Sequence, residues 1–133
     1  IFFASTHQMP LYPGTGAAHE TGGHGNVLNV PLAAGTGSAG FRKVMESTVL
    51  PAVAAFDPEM IFVSAGFDAH QDDPLAGLNF TTADFAWVTG KICDLADKHC
   101  QGRLVSSLEG GYDLDALAAS AKVHVQTLME RSK

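Results

Sequence analysis

The chain has 133 residues, of which 46 % are hydrophobic and 17 % charged, and a formal charge of −6. That is one domain's worth of polypeptide, apolar enough to bury roughly two-thirds of its unfolded surface, which excludes intrinsic disorder. The few cations are scattered and no apolar run approaches the ~20 residues a bilayer needs, so neither a nucleic-acid partner nor a membrane anchor or signal peptide is expected.

Ile1-Phe2-Phe3-Ala4 reads as the middle of a buried strand with no initiator Met before it, as expected of a fragment that starts inside its own core. Further strands are expected over Asn26–Leu32, Met60–Ala65 and Arg103–Leu108, short and apolar enough for a sheet covered on both faces. Between the second and third, Phe41, Val44, Met45, Thr48, Val49, Val53 and Phe56 recur at helical spacing, with Ser38 as N-cap and a kink at Pro51. Thr81 or Thr82 caps a second helix with Phe85, Val88, Ile92, Leu95 and Ala96 on one stripe, closing at Lys98 and His99. Asp113 caps a third from Leu114 to about Arg131, with Leu117, Ala121, Val125 and Leu128 facing inward. This alternation predicts an α/β fold, a parallel sheet with helices on both faces. Cys93 and Cys100, two turns apart on one helix, read as reduced thiols of a cytoplasmic protein.

In open parallel sheets ligands sit beyond the carboxyl ends of the strands. The segments there are Ser5-Thr6-His7, Gly66-Phe67-Asp68-Ala69-His70-Gln71-Asp72-Asp73-Pro74 and Glu109-Gly110-Gly111-Tyr112-Asp113. The second groups one His with three Asp, which can ligate a metal; alternatively Asp68 caps a turn while Asp72 and Asp73 are solvated. The third presents either the Tyr112 hydroxyl at the sheet's edge or a ring packed over the Gly-Gly turn. The long Gly- and Pro-rich stretch from His7 to Gly25 has the length of a functional loop. Gly35–Gly40 is formally GxGxxG, but the acidic residue that fingerprint requires is misplaced, so a Gly-rich helix cap is the better reading than a nucleotide site. His19 and His24, five apart across Gly22-Gly23, cannot share a helix face as zincin ligands do.

Val63-Ser64-Ala65-Gly66-Phe67-Asp68-Ala69-His70 followed by Asp72-Asp73-Pro74-Leu75 resembles a signature of the histone deacetylase superfamily. Tyr12-Pro13-Gly14-Thr15-Gly16, Asn29-Val30-Pro31-Leu32 and Leu108-Glu109-Gly110-Gly111-Tyr112 agree with it in order and spacing, and Glu109 leans toward the class II and acetylpolyamine amidohydrolase-like bacterial branches. The resemblance implies an incomplete arginase/deacetylase-like fold, with residues 1–133 the C-terminal part of a single catalytic domain. It implies Asp68 as a zinc ligand and Tyr112 as the catalytic hydrogen-bond donor to the substrate carbonyl. Tyr12, Leu75, Gly110 and Gly111 would line the substrate tunnel, and Ser5 and Thr6 would ligate potassium. The resemblance places the family's Asp-x-His ligands and His-His base upstream of the strand that begins here at Ile1, and no His-His occurs in this sequence. The expected activity is therefore zinc-dependent hydrolysis of an acetylated amine, with this chain alone inactive and either self-associating or lacking an N-terminal half. The alternative is a non-catalytic half-domain acting as a binding or assembly module.

Overall fold

The computed structural model describes residues 1–132. β1 (Phe3–Gln8) runs parallel to β2 (Val27–Leu32), with Phe3 opposite Val27 and Gln8 opposite Leu32. The first strand is thus displaced from the expected Ile1–Ala4: Ile1 is fully exposed, Phe3 is exposed, and Ser5, Thr6 and His7 lie inside the strand rather than beyond it. Polar residues are tolerated there because Ser5 and His7 satisfy each other, Oγ to Nδ1 at 2.9 Å.

β3 (Ile61–Ala65) pairs in parallel with β4 (Leu104–Leu108). The strands form two separate two-stranded ladders, β1–β2 and β3–β4, where one continuous sheet was expected. Burial alternates along β3–β4, leaving Phe62, Ser64, Val105 and Ser107 exposed on one face.

The expected single kinked helix is three pieces: α1 (Ser38–Val44), a π-helical stretch over Met45–Val49, and α2 (Leu50–Phe56). The distortion falls before Pro51, which stands in the first turn of α2. Lacking an N–H, Pro51 leaves a carbonyl in the preceding turn without its helical donor, and the wide π turn absorbs the mismatch. Phe41, Met45 and Val49 still reach the core. The N-cap is Gly37 rather than Ser38, whose hydroxyl instead donates to Asp84 Oδ2 at 2.5 Å.

α3 (Thr82–Cys100) starts at Thr81, whose N–H donates to Asp84 Oδ2 at 2.9 Å in a capping-box arrangement. α4 (Leu114–Arg131) is capped by Asp113, which accepts from the Ala116 N–H at 2.8 Å. Its buried line is Ala116, Ser120 and His124, with Leu117 and Ala121 beside it, whereas Val125, expected inside, is exposed. The face is turned by His124: its Nδ1 lies 2.7 Å from Thr89 Oγ1 and its Nε2 lies 2.8 Å from Ser106 Oγ, tying α4 to α3 and β4.

One core spans both ladders, built from Leu32, Phe41, Met45, Ala65, Phe67, Phe80 and Phe85, with Ala4, Leu28, Val30 and Val63 packed against it. The Phe41 and Phe80 rings are 4.2 Å apart, and Phe67 meets Phe85 edge-on at 5.1 Å. Cys93 and Cys100 are free and buried, and among the described residues no helix is long and apolar enough to cross a membrane.

Candidate active site

The segments that follow the strands meet along one rim. Beyond β3 and β4, the Glu109 N–H donates to Ala65 O at 3.0 Å and the Phe67 N–H to Gly110 O at 2.7 Å. The end of β1 joins through Gln8, whose Oε1 accepts from the Gly77 N–H at 2.6 Å, and the turn after β2 through the Gly35 N–H, which donates to Gly77 O at 2.6 Å. The Gly35–Gly40 segment is thus a docking turn for residues 77–79. Gly35 has φ +82°, and a Cβ at Gly37 would press on Asn79 O at 3.3 Å.

Asp68 and the Gly110-Gly111-Tyr112 segment are brought together. A Cβ at Gly110 would stand 2.6 Å from Asp68 Cγ, so the carboxylate occupies the space a side chain would need. Gly111 has φ +140°, where a side chain would strain the backbone, and its Cβ would meet Leu117 Cδ1 at 2.9 Å. Burial pushes the Asp68 carboxyl above its ordinary value and the charge of Asp73 adds to this, against an opposing hydrogen bond from Asp68's own N–H. Such a carboxylate is relieved by a cation, so Asp68 suits one corner of a metal site. Among the described residues no three His, Cys, Asp or Glu side chains converge on a metal position.

The neighbouring acids divide. Asp72 is exposed, but Asp73, open to a reading as solvated, is buried. It accepts from three backbone N–H groups: Tyr112 at 2.9 Å on Oδ2, and Leu75 at 2.9 Å and Ala76 at 3.3 Å on Oδ1. His70 is buried as well: Nδ1 accepts from the Asp72 N–H at 3.2 Å, Nε2 faces Thr82 Oγ1 at 3.3 Å, and the ring stacks on Phe85. With both nitrogens engaged, it is a core histidine.

Tyr112, Leu75 and Tyr12 are all exposed. The loop bearing Tyr12 is held from below. His7 Nε2 donates to Gly16 O at 2.9 Å, so Nδ1 is the acceptor for the Ser5 hydroxyl. Glu20 accepts from the Gly16 and Ala17 N–H groups, which hold its carboxyl below the ordinary value. The Asn29 amide donates to Glu20 O at 2.9 Å. Residues 19–24 contain no helix. Ser5 and Thr6 lie on β1, and no hydrogen bond among the described residues joins them to Asp68. The clamp that sequence reasoning missed is Asp73; Asp-Pro signals a turn but not which far backbone the carboxylate reaches.

Histone deacetylase 10, chloroplastic, of Oryza sativa subsp. japonica is 48 % identical over 123 residues, covering 90 % of this chain and 28 % of that protein. The crystal structure of the HDA15 HD domain superposes with a TM-score of 0.89 at 36 % identity, covering 97 % of this chain and 37 % of its own. The acetylpolyamine aminohydrolase of Burkholderia pseudomallei gives a TM-score of 0.85 at 28 % identity, covering 96 % and 37 %. The chain therefore spans well under half the length of each. Residues 1–128 match the histone deacetylase domain, and the chain belongs to the histone deacetylase family.

Proposed function

We propose that residues 1–133 form the C-terminal part of a single deacetylase-like catalytic domain that hydrolyses an acetylated amine, of acetyl-lysine or acetylpolyamine type. The observation that carries this is the Asp68 carboxylate packed over Gly110, two residues before Tyr112, which puts a cation-seeking oxygen and a free phenol on one rim. An amide carbonyl is a weak electrophile with a poor leaving group. Hydrolysis requires an activated water, a polarised carbonyl and a donor for the oxyanion. Zinc, when bound, supplies the Lewis acid and the acidified water.

Asp68 would contribute one of the three protein ligands such an ion takes, the resemblance assigning the other two to an Asp-x-His motif upstream of the stretch matched here. The Tyr112 hydroxyl donates to the substrate carbonyl oxygen and more strongly as negative charge develops there. Gly110 and Gly111 border the tunnel with backbone alone, the space beside them being taken by Asp68 and Leu117, and Tyr12 and Leu75 wall it for the apolar stem of the acylated amine. Ser5 and Thr6 are the residues that, by the resemblance, would offer oxygens to a potassium ion. Two buried thiols suit a reducing compartment, of which the cytoplasm is our reading, although the rice relative is chloroplastic.

The test is Asp68→Asn in the complete gene product. Zinc content and turnover of an acetyl-lysine reporter fall together, because a neutral amide oxygen is a poorer ligand. Normal zinc occupancy would overturn the assignment.

A further inference from the structure

The exposed ring of Tyr112 has little packing to fix it, so its direction is set by its backbone. That backbone is held on one side by the bond from the Phe67 N–H to Gly110 O at 2.7 Å, and on the other by Asp73 Oδ2, 2.9 Å from the Tyr112 N. Asp73 is 7 % exposed, and its second oxygen accepts from Leu75 and Ala76. Pro74 restricts the chain between them. A carboxylate is the side chain that suits this place, because both its oxygens accept and neither donates. Three backbone N–H groups from two separate segments share one small group, which fixes the Leu75 turn and the Tyr112 peptide against each other.

Resting on the reading of Tyr112 as the oxyanion donor, we infer that Asp73 is the positioning residue for Tyr112, and that through the same carboxylate it keeps Leu75 in register with it. Asp73 touches neither substrate nor metal in this account. It acts by holding the Tyr112 backbone where the hydroxyl meets the developing charge.

Asp73→Asn places an NH2 group where an acceptor is needed: an amide keeps one acceptor oxygen, so either the Tyr112 tether or the Leu75 turn is lost. In the complete gene product, turnover of an acetyl-lysine reporter falls about 100-fold with KM changed little, since misplacing a catalytic group by about 1 Å costs that much. Zinc content stays at the parent level. The discriminating arm is the pair with Tyr112→Phe: once the hydroxyl is gone, Asp73→Asn lowers turnover by no more than about twofold further. If the two losses multiply instead, or if Asp73→Asn releases zinc, Asp73 acts independently of Tyr112 and the inference is overturned.

Should Asp73→Asn not fold, replacing the Tyr112 residue by its α-hydroxy acid deletes the single N–H while keeping every side chain. The same drop in kcat is expected, and parent-level kcat in that ester would overturn the inference. A Tyr112→Phe enzyme with parent turnover is a different failure, which removes the reading of Tyr112 itself and the positioning role with it.

Discussion

Arg42 and Asp84 form an ion pair across the junction of α1 and α3, with guanidinium Nε and Nη2 each 2.9 Å from Oδ1. Asp84 is fully buried, and its other oxygen takes the Ser38 hydroxyl together with the Thr81 N–H and hydroxyl. This saturation is what permits a charge in the core.

Burial by itself would raise the Asp84 carboxyl, but the hydrogen bonds from Ser38, Thr81 and Arg42 outweigh it and leave the group below its ordinary value. A carboxylate depressed in the folded state adds stability that is complete above about pH 4 and lost as the pH falls through the lower folded value. Asp84→Asn should remove that acid limb from urea-unfolding curves. It should also cost about 3 to 5 kcal/mol at neutral pH, as breaking a buried pair does.

His124 supplies a second pH dependence. The Thr89 hydroxyl donates to Phe85 O at 2.6 Å, so its oxygen accepts from His124 Nδ1–H, and Nε2 accepts from the Ser106 hydroxyl. Burial depresses the imidazole, favouring the neutral ring in the folded state. The unfolded chain then binds more protons, so stability declines as the pH falls below about 6.5, the ordinary value for histidine. Unfolding midpoints between about pH 5 and 8 should show this slope and His124→Phe should lack it. That variant should lose about 1 to 3 kcal/mol by leaving Ser106 unpartnered.

The helices were legible where caps and period agreed: Asp113 and Thr81 mark their starts, and the apolar stripe of α3 carries Phe85 and Ala96 into the core. β3 and β4 lie within a residue of expectation because their apolar runs are bounded by turns. β1 was misjudged because Ser5 and His7 bond to each other inside the strand, a partnership that hydropathy does not register. The buried line of α4 was misjudged for a similar reason. Val125 is the more apolar residue, but His124 has two partners waiting in the core. The rim motifs after β3 and β4 were readable as motifs, whereas the bond from the Tyr112 N–H to Asp73 joins residues 39 apart and is visible only in three dimensions.

Expressed by itself, the chain should self-associate. Ile1 before β1, Phe3 on the first ladder and Phe62 and Val105 on the second are exposed apolar groups, and uncovered apolar surface draws a partner. Light scattering should give a mass that rises with concentration, and the same preparation should hold zinc weakly and turn over no acetyl-lysine reporter. A constant monomer mass over a wide concentration range would contradict the first expectation, and stoichiometric zinc with turnover the second.

The most direct test of the catalytic reading is Tyr112→Phe in the complete gene product, with turnover and zinc content measured on one preparation. The ring is kept and the hydroxyl is not a ligand, so the fold and the metal should be retained while only the transition state loses a partner. Removing one oxyanion donor costs about 3 to 4 kcal/mol, so turnover should fall by about 100- to 1,000-fold with zinc at the parent level and KM changed much less. Turnover within about threefold of the parent, under ~1 kcal/mol, would mean that the hydroxyl faces solvent without a catalytic part, and would contradict the account.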